Sequence, residues 1–182
     1  AAAGQAAGPG ASGPAAGMPA ASGPRRIELK PVRFKGTKGV AGDFEFEIAK
    51  ELARRQPPGT RTLWIYNDNE QDRQKYHAGG GNACIRPFNK FGQHHAEPLA
   101  AGISTGSNGR GYPRLTAEVR GVIDGDLAVI DELLQTGNYS QVRFSGTGHG
   151  LALGAGIFAR TLGDDVKQYI VEGLQRVCAQ GG

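Results

Sequence analysis

The chain has 182 residues and a formal net charge of +4, with 38% hydrophobic and 7% aromatic residues. That length suits one domain, and no stretch approaches the roughly 18 continuous apolar residues of a membrane-spanning helix, so no membrane partner is expected. The basic residues are dispersed, in short clusters at Arg25-Arg26, Lys35 with Lys38, and Arg54-Arg55, without interleaved aromatics. This argues against nucleic acid as a partner and leaves a phosphate-bearing small molecule to account for the charge.

Residues 1–24 are Ala, Gly or Pro at 20 of 24 positions, and Met18 is their one large side chain. Such a segment has almost no apolar surface to offset the entropy of ordering it, so it reads as a flexible arm or linker. It has neither a basic start nor a continuous apolar stretch, which sets it apart from a signal peptide. With no initiator Met, it also fits a joint to a larger parent polypeptide or a contact to a partner protein. Residues 25–182 are expected to form a single domain. Cys84 and Cys178 match no metal-ligand spacing. They fit a reduced, cytoplasmic setting, or that of an effector delivered into a target cell. No metal site and no resident cofactor are expected.

From Arg25 the pattern alternates between strand and helix. Residues 27–34, IELKPVRF, place apolar side chains at period two around Pro31, as in an edge strand. Asp43 is a plausible N-cap for FEFEIAKELARRQ, whose Phe44, Ile48 and Leu52 form one stripe, and Pro57-Pro58-Gly59 ends that helix. Three apolar runs then read as buried strands: RTLWIYN from 61, LAAGIST from 99, and YSQVRFSG from 139. Between and after them, residues 122–137 and 163–177 carry helical stripes, the first ending on Gly137 and the second starting on acids. The alternation predicts an α/β fold, with a mixed or mostly parallel sheet of about four to six strands and helices on both faces.

Three of the predicted strands run into small, polar, glycine-rich loops: Asn67-Asp68-Asn69; Ser104-Thr105-Gly106; and Ser145-Gly146-Thr147-Gly148-His149. In open α/β sheets the ligand crevice lies beyond the carboxyl ends of the strands, where such loops converge. Glycines let backbone N–H groups approach an anion closely, as Gly79-Gly80-Gly81 would before ACIRPF. Asn67 and Asn69 offer amides to ribose hydroxyls or an adenine edge, and Arg86 offers a bidentate partner to a phosphate. Asp68 and His77 flank the triplet and are the candidate bases for activating water. Each element also has an ordinary structural reading, since Asn-Asp-Asn forms turns and glycine runs form loops.

WIYNDN followed by HAGGGNACIR resembles the strand, asparagine, glycine-triplet and helix entry of macrodomains. The resemblance covers about residues 61–178 and extends to short phage and bacterial domains of unknown function with a GDN, GG and GTG pattern. It implies a macrodomain-like sheet and ADP-ribose or NAD as ligand. It places Asn67 and Asn69 at the distal ribose, Gly79–Gly81 beside that ribose and the diphosphate, and Ser145 to Gly150 under the phosphates. In activity it implies hydrolysis at the anomeric carbon. The chain departs from the family in placing its ISTG element at 103–106, ahead of the late loop, and in lacking a clear early acid for the adenine amine. Two other readings stay open. One is a toxin or effector domain that consumes or transfers NAD or a related nucleotide. The other is a non-catalytic nucleotide-sensing or protein-interaction module.

Overall fold

The computed structural model describes residues 26–40, 42–154 and 161–181, so the expectation for the 1–24 arm lies outside the described residues. Among the described residues, five strands form one sheet: β1 (Glu28–Val32), β2 (Arg61–Asn69), β3 (Ala100–Ser107), β4 (Arg110–Gly111) and β5 (Tyr139–Ser145). Their spatial order is β1-β5-β2-β3-β4, parallel throughout except for the β3/β4 hairpin. The fold is therefore α/β with a mixed, mostly parallel sheet. Pro31 lies in β1, an edge strand, where its missing N–H removes nothing from a central ladder.

Among the described residues, three α-helices cover the sheet. Helix α1 (Phe44–Arg54) begins where expected, with the Asp43 side chain accepting from the Glu45 N–H. Helix α2 spans Ala117–Gln135, starting five residues before the predicted 122. Thr116 caps it, its side chain accepting from the Val119 N–H. Helix α3 spans Asp164–Gln180. Gly79–Gly81 leads into a 3₁₀ segment, Gly81–Phe88, which takes the place of the expected α-helical entry. Pro87 inside it lacks the N–H that a continuing helical ladder requires.

The period-two alternation of β2 divides its side chains between two cores. Leu63 and Ile65 join Ile103, Val142 and Phe144 against α2 and α3. Trp64 and Tyr66 join Phe44, Ile48 and Ile85 against α1 and the 3₁₀ segment. Phe44 packs against Trp64 with the rings tilted at 57° and their centroids 5.0 Å apart. Burial pushes the Glu51 carboxyl of α1 up, and its Oε2 is buried without a hydrogen-bond partner. A carboxyl raised in the folded state costs stability as pH climbs through the folded value, because the unfolded chain ionises more readily. Glu51→Gln should therefore melt above the wild type at pH 8 and converge with it near pH 4, as followed by thermal unfolding; a variant less stable at both pH values would contradict this.

Because β5, β2 and β3 are adjacent and parallel, their three polar loops leave the same edge of the sheet. The candidate site is built on that edge. Among the described residues no helix is long and apolar enough to cross a membrane.

Candidate functional site

The last three residues of β2 are bound in different ways. Asn67 is buried, its N–H donating to Asn82 Oδ1 at 2.8 Å, while Asn82 Nδ2 donates to Asn67 Oδ1 at 3.3 Å. Asp68 is 4% exposed and accepts, through Oδ1, from Arg86 Nε at 3.1 Å and Nη2 at 2.5 Å and from the Asn69 N–H at 2.8 Å. Burial pushes its carboxyl up and the Arg86 guanidinium pulls it back, the net direction being upward. Asn69 reaches Asp72 Oδ2 through Nδ2 at 3.5 Å, and its Oδ1 is buried without a hydrogen-bond partner. A buried acceptor left unpaired is uncommon, and a ligand hydroxyl is one group that would satisfy it.

Arg86, 2% exposed, projects from the 3₁₀ segment and spends its donors on the protein. Besides Asp68, it donates from Nη1 to the His77 carbonyl at 3.0 Å, and Nη2 stands 3.5 Å from Asp72 Oδ2. The guanidinium expected to grip a phosphate therefore ties the glycine loop to the end of β2.

The triplet has local reasons for two of its glycines. A Cβ on Gly79 would lie 2.8 Å from Arg86 Nη1 and 2.9 Å from Ala83 Cβ, so a side chain there would collide with the buried arginine. Gly81 has φ of +57°, which L side chains rarely adopt. Gly79 donates to the Ala83 carbonyl at 2.9 Å, closing the loop on itself.

Gly79 and Gly80 form one side of a cavity of about 260 Å³ that Asn67, Asn69, Asp72, Arg86 and Gly109 complete. The structure thus brings together five of the predicted residues: Asn67, Asn69, Gly79, Gly80 and Arg86. Other predicted residues fall elsewhere. Asp68 lies beside a separate small cavity with Tyr66, Arg73 and Asp126. Ser104 and Thr105 are fully buried; Ser104 N–H donates to Asp126 Oδ2, and Thr105 Oγ1 donates to the Asp68 carbonyl. Gly106 is paired with Gly111 in the β3/β4 hairpin. Ser145 is buried, and Gly146 pairs with Leu153 across a tight return in which Thr147 N–H donates to the Ala152 carbonyl and the Thr147 hydroxyl accepts from His149 N–H. Gly148 lies in that return with φ of +88°. Thr147 borders another cavity, of about 510 Å³, with Leu153, Lys167 and Val171. His77 is largely exposed, its Nε2 3.6 Å from Asp72 Oδ1.

Sequence reasoning passed over Glu70, Gln71 and Asp72, a single 3₁₀ turn that holds three surfaces together. Glu70 Oε2 accepts from the Tyr112 hydroxyl at 2.8 Å. Gln71 accepts from the Asn108 N–H and donates to Ser107 Oγ, fixing the β3/β4 turn that carries Gly109 to the cavity. Asp72 borders the cavity itself, beside Arg86, Asn69, Lys75 and His77. Burial would raise its carboxyl, but Arg86, Asn69 and Lys75 together hold it below the usual range. The signal available in sequence was a run of six polar side chains, Glu70 to Lys75, directly after a buried strand. Next to this turn, Arg73 Nε donates to Asp126 Oδ1 at 2.8 Å and so anchors it to α2.

Among the described residues no cluster of three His, Cys, Asp or Glu side chains is placed to hold a metal ion. No protein-family model, curated protein or solved structure matches this chain.

Proposed function

We propose that the protein binds a nucleotide diphosphate, ADP-ribose or an NAD-derived species, and, where the anomeric carbon carries a leaving group, hydrolyses the bond to it, in the manner of a macrodomain. The observation that carries this reading is the cavity at the carboxyl edge of the sheet, where Gly79 and Gly80 face Asn69 with its buried, unpartnered Oδ1. A sugar hydroxyl donating to that oxygen satisfies it, and the two glycines leave the backbone open to close approach. At about 260 Å³ the cavity lies below the ~300–1,000 Å³ of pockets that enclose a whole drug-sized ligand. It therefore takes the sugar end of the molecule, and the rest extends over the rim. Of the two bases considered, His77 stands beside the cavity's Asp72, whereas Asp68 is buried against Arg86. That burial also favours, as a second reading, a module that binds the ligand without cleaving it.

Isothermal titration of the full chain with ADP-ribose, with NAD and ATP as comparators, tests this. ADP-ribose should bind with a micromolar or tighter Kd, and Asn69→Ala should weaken it by about tenfold or more, the weight of one hydrogen bond to a buried group. Equal affinity in wild type and Asn69→Ala, or no heat with any of the three, would overturn the reading.

A further inference from the structure

We infer that Asp72 is the carboxylate that faces the reacting sugar, and that it stabilises positive charge at the anomeric carbon while the adjoining His77 takes the proton of the attacking water. This rests on the proposed sugar site and names the groups that act in it.

Three observations support the assignment. First, Asp72 borders the cavity with Asn69, Gly79 and Gly80, whereas Asp68 borders a different, smaller one and gives its Oδ1 to Arg86. Second, the two oxygens of Asp72 have separate surroundings: Oδ2 faces Asn69 Nδ2 and Arg86 Nη2, both at 3.5 Å, and Oδ1 faces His77 Nε2 at 3.6 Å and Lys75 Nζ at 3.4 Å. Third, the turn is anchored on both flanks, by Glu70 and Gln71 on Tyr112 and the β3/β4 turn and by Arg73 on Asp126. That anchoring fixes the carboxylate relative to the glycine loop.

Cleavage of a glycosidic bond passes through a transition state in which the sugar ring carries oxocarbenium-like positive charge. A carboxylate that stays ionised beside the ring stabilises that charge more than it stabilises the neutral sugar, which is the condition for lowering the barrier. Neighbouring cations hold Asp72 ionised, so it serves as a fixed negative charge and not as a proton donor. With NAD as substrate, the water oxygen forms a bond to the anomeric carbon and its proton passes to His77. The bond from that carbon to the nicotinamide nitrogen breaks, and its electron pair leaves on neutral nicotinamide. His77 then returns the proton to solvent.

The test follows product release from NAD and from a peptide bearing an ADP-ribosyl ester, using the full chain, alongside titration with ADP-ribose. Asp72→Asn should bind ADP-ribose within about threefold of wild type and lose about 100-fold or more in turnover. His77→Ala, on an exposed side chain whose loss leaves the core intact, should lose turnover by a similar factor and regain part of it with added imidazole. Three results overturn the inference: an Asp72→Asn rate above a third of wild type, no response of His77→Ala to imidazole, or wild type that binds ADP-ribose yet releases product from neither substrate. The last leaves the binding reading intact, whereas absence of ADP-ribose binding removes both.

Discussion

Arg86→Met should cost about 3–5 kcal/mol of folding stability, measured by urea unfolding at pH 8. The arginine is 2% exposed and its guanidinium meets Asp68, Asp72 and the His77 carbonyl. Methionine keeps much of the volume and none of the donors, so Asp68 is left as a buried carboxylate without its counter-charge. Protonation relieves that penalty. With its folded pKa raised further above the unfolded value, Asp68 costs nothing below the unfolded pKa and progressively more as pH rises through the folded one. The deficit of Arg86→Met should therefore be smaller near pH 4 than at pH 8. Pairing it with Asp68→Leu, which removes the stranded charge, should recover much of the loss at pH 8, since a buried ion pair replaced by apolar side chains is often neutral in stability. A single variant within about 1 kcal/mol of wild type would show that this pair does not hold the glycine loop to β2.

Gly106→Ala is the second large effect, and it couples the fold to the site. The residue lies where β3 meets the β3/β4 hairpin, and a Cβ there would run into the Arg110 carbonyl oxygen and come within 2.9 Å of Gly111 Cα. Both obstacles are backbone atoms, so no side-chain rotation relieves the clash. Overpacking of this kind costs about 1–3 kcal/mol, and each kcal/mol lowers Tm by roughly 2–4 °C in a domain of this size. The strands must part, and the turn that Gln71 clasps moves with them, carrying Gly109 away from the cavity. ADP-ribose affinity should fall together with Tm. A variant with wild-type Tm and affinity would mean that the hairpin tolerates a wider spacing than its geometry implies.

The parts of the fold visible in the sequence were those with a periodic apolar pattern. β2 and β5 start at Arg61 and Tyr139, the predicted first residues, because each apolar run is bounded by turn residues. Helix α2 begins earlier than its stripe because Thr116 caps it and its first turn packs on the core only through the half-buried Val119; the first buried side chain is Ile123. β4 has two residues, too few for any period, and exists because Asn108-Gly109 folds β3 back, with φ of +51° and +76°.

The site was legible in a similarly uneven way. Residue types that suit a ligand were easy to recognise at Asn67, Asn69, Gly79 and Gly80. What sequence could not give was which neighbours would claim them first. Asp68 and Arg86 are 18 positions apart, and only the fold shows that they satisfy each other and not a ligand or a water. Asp72 lies in a polar run without an apolar period, and its place at the cavity depends on Asn69, Lys75 and His77, close to it in the chain, and on Arg86 from the 3₁₀ segment. The loop from Ser145 to His149 has the composition of a phosphate cradle, yet its hydrogen bonds close it on residues 152–154.

The most direct test of the account is a crystal structure of the full chain grown with ADP-ribose. The sugar end should be seated between Asn69, Asp72 and Gly79-Gly80, with a ring hydroxyl on Asn69 Oδ1 and the diphosphate leading out over the rim. Ligand found instead in the Thr147 and α3 cavity, with the Asn69 cavity empty, would contradict it.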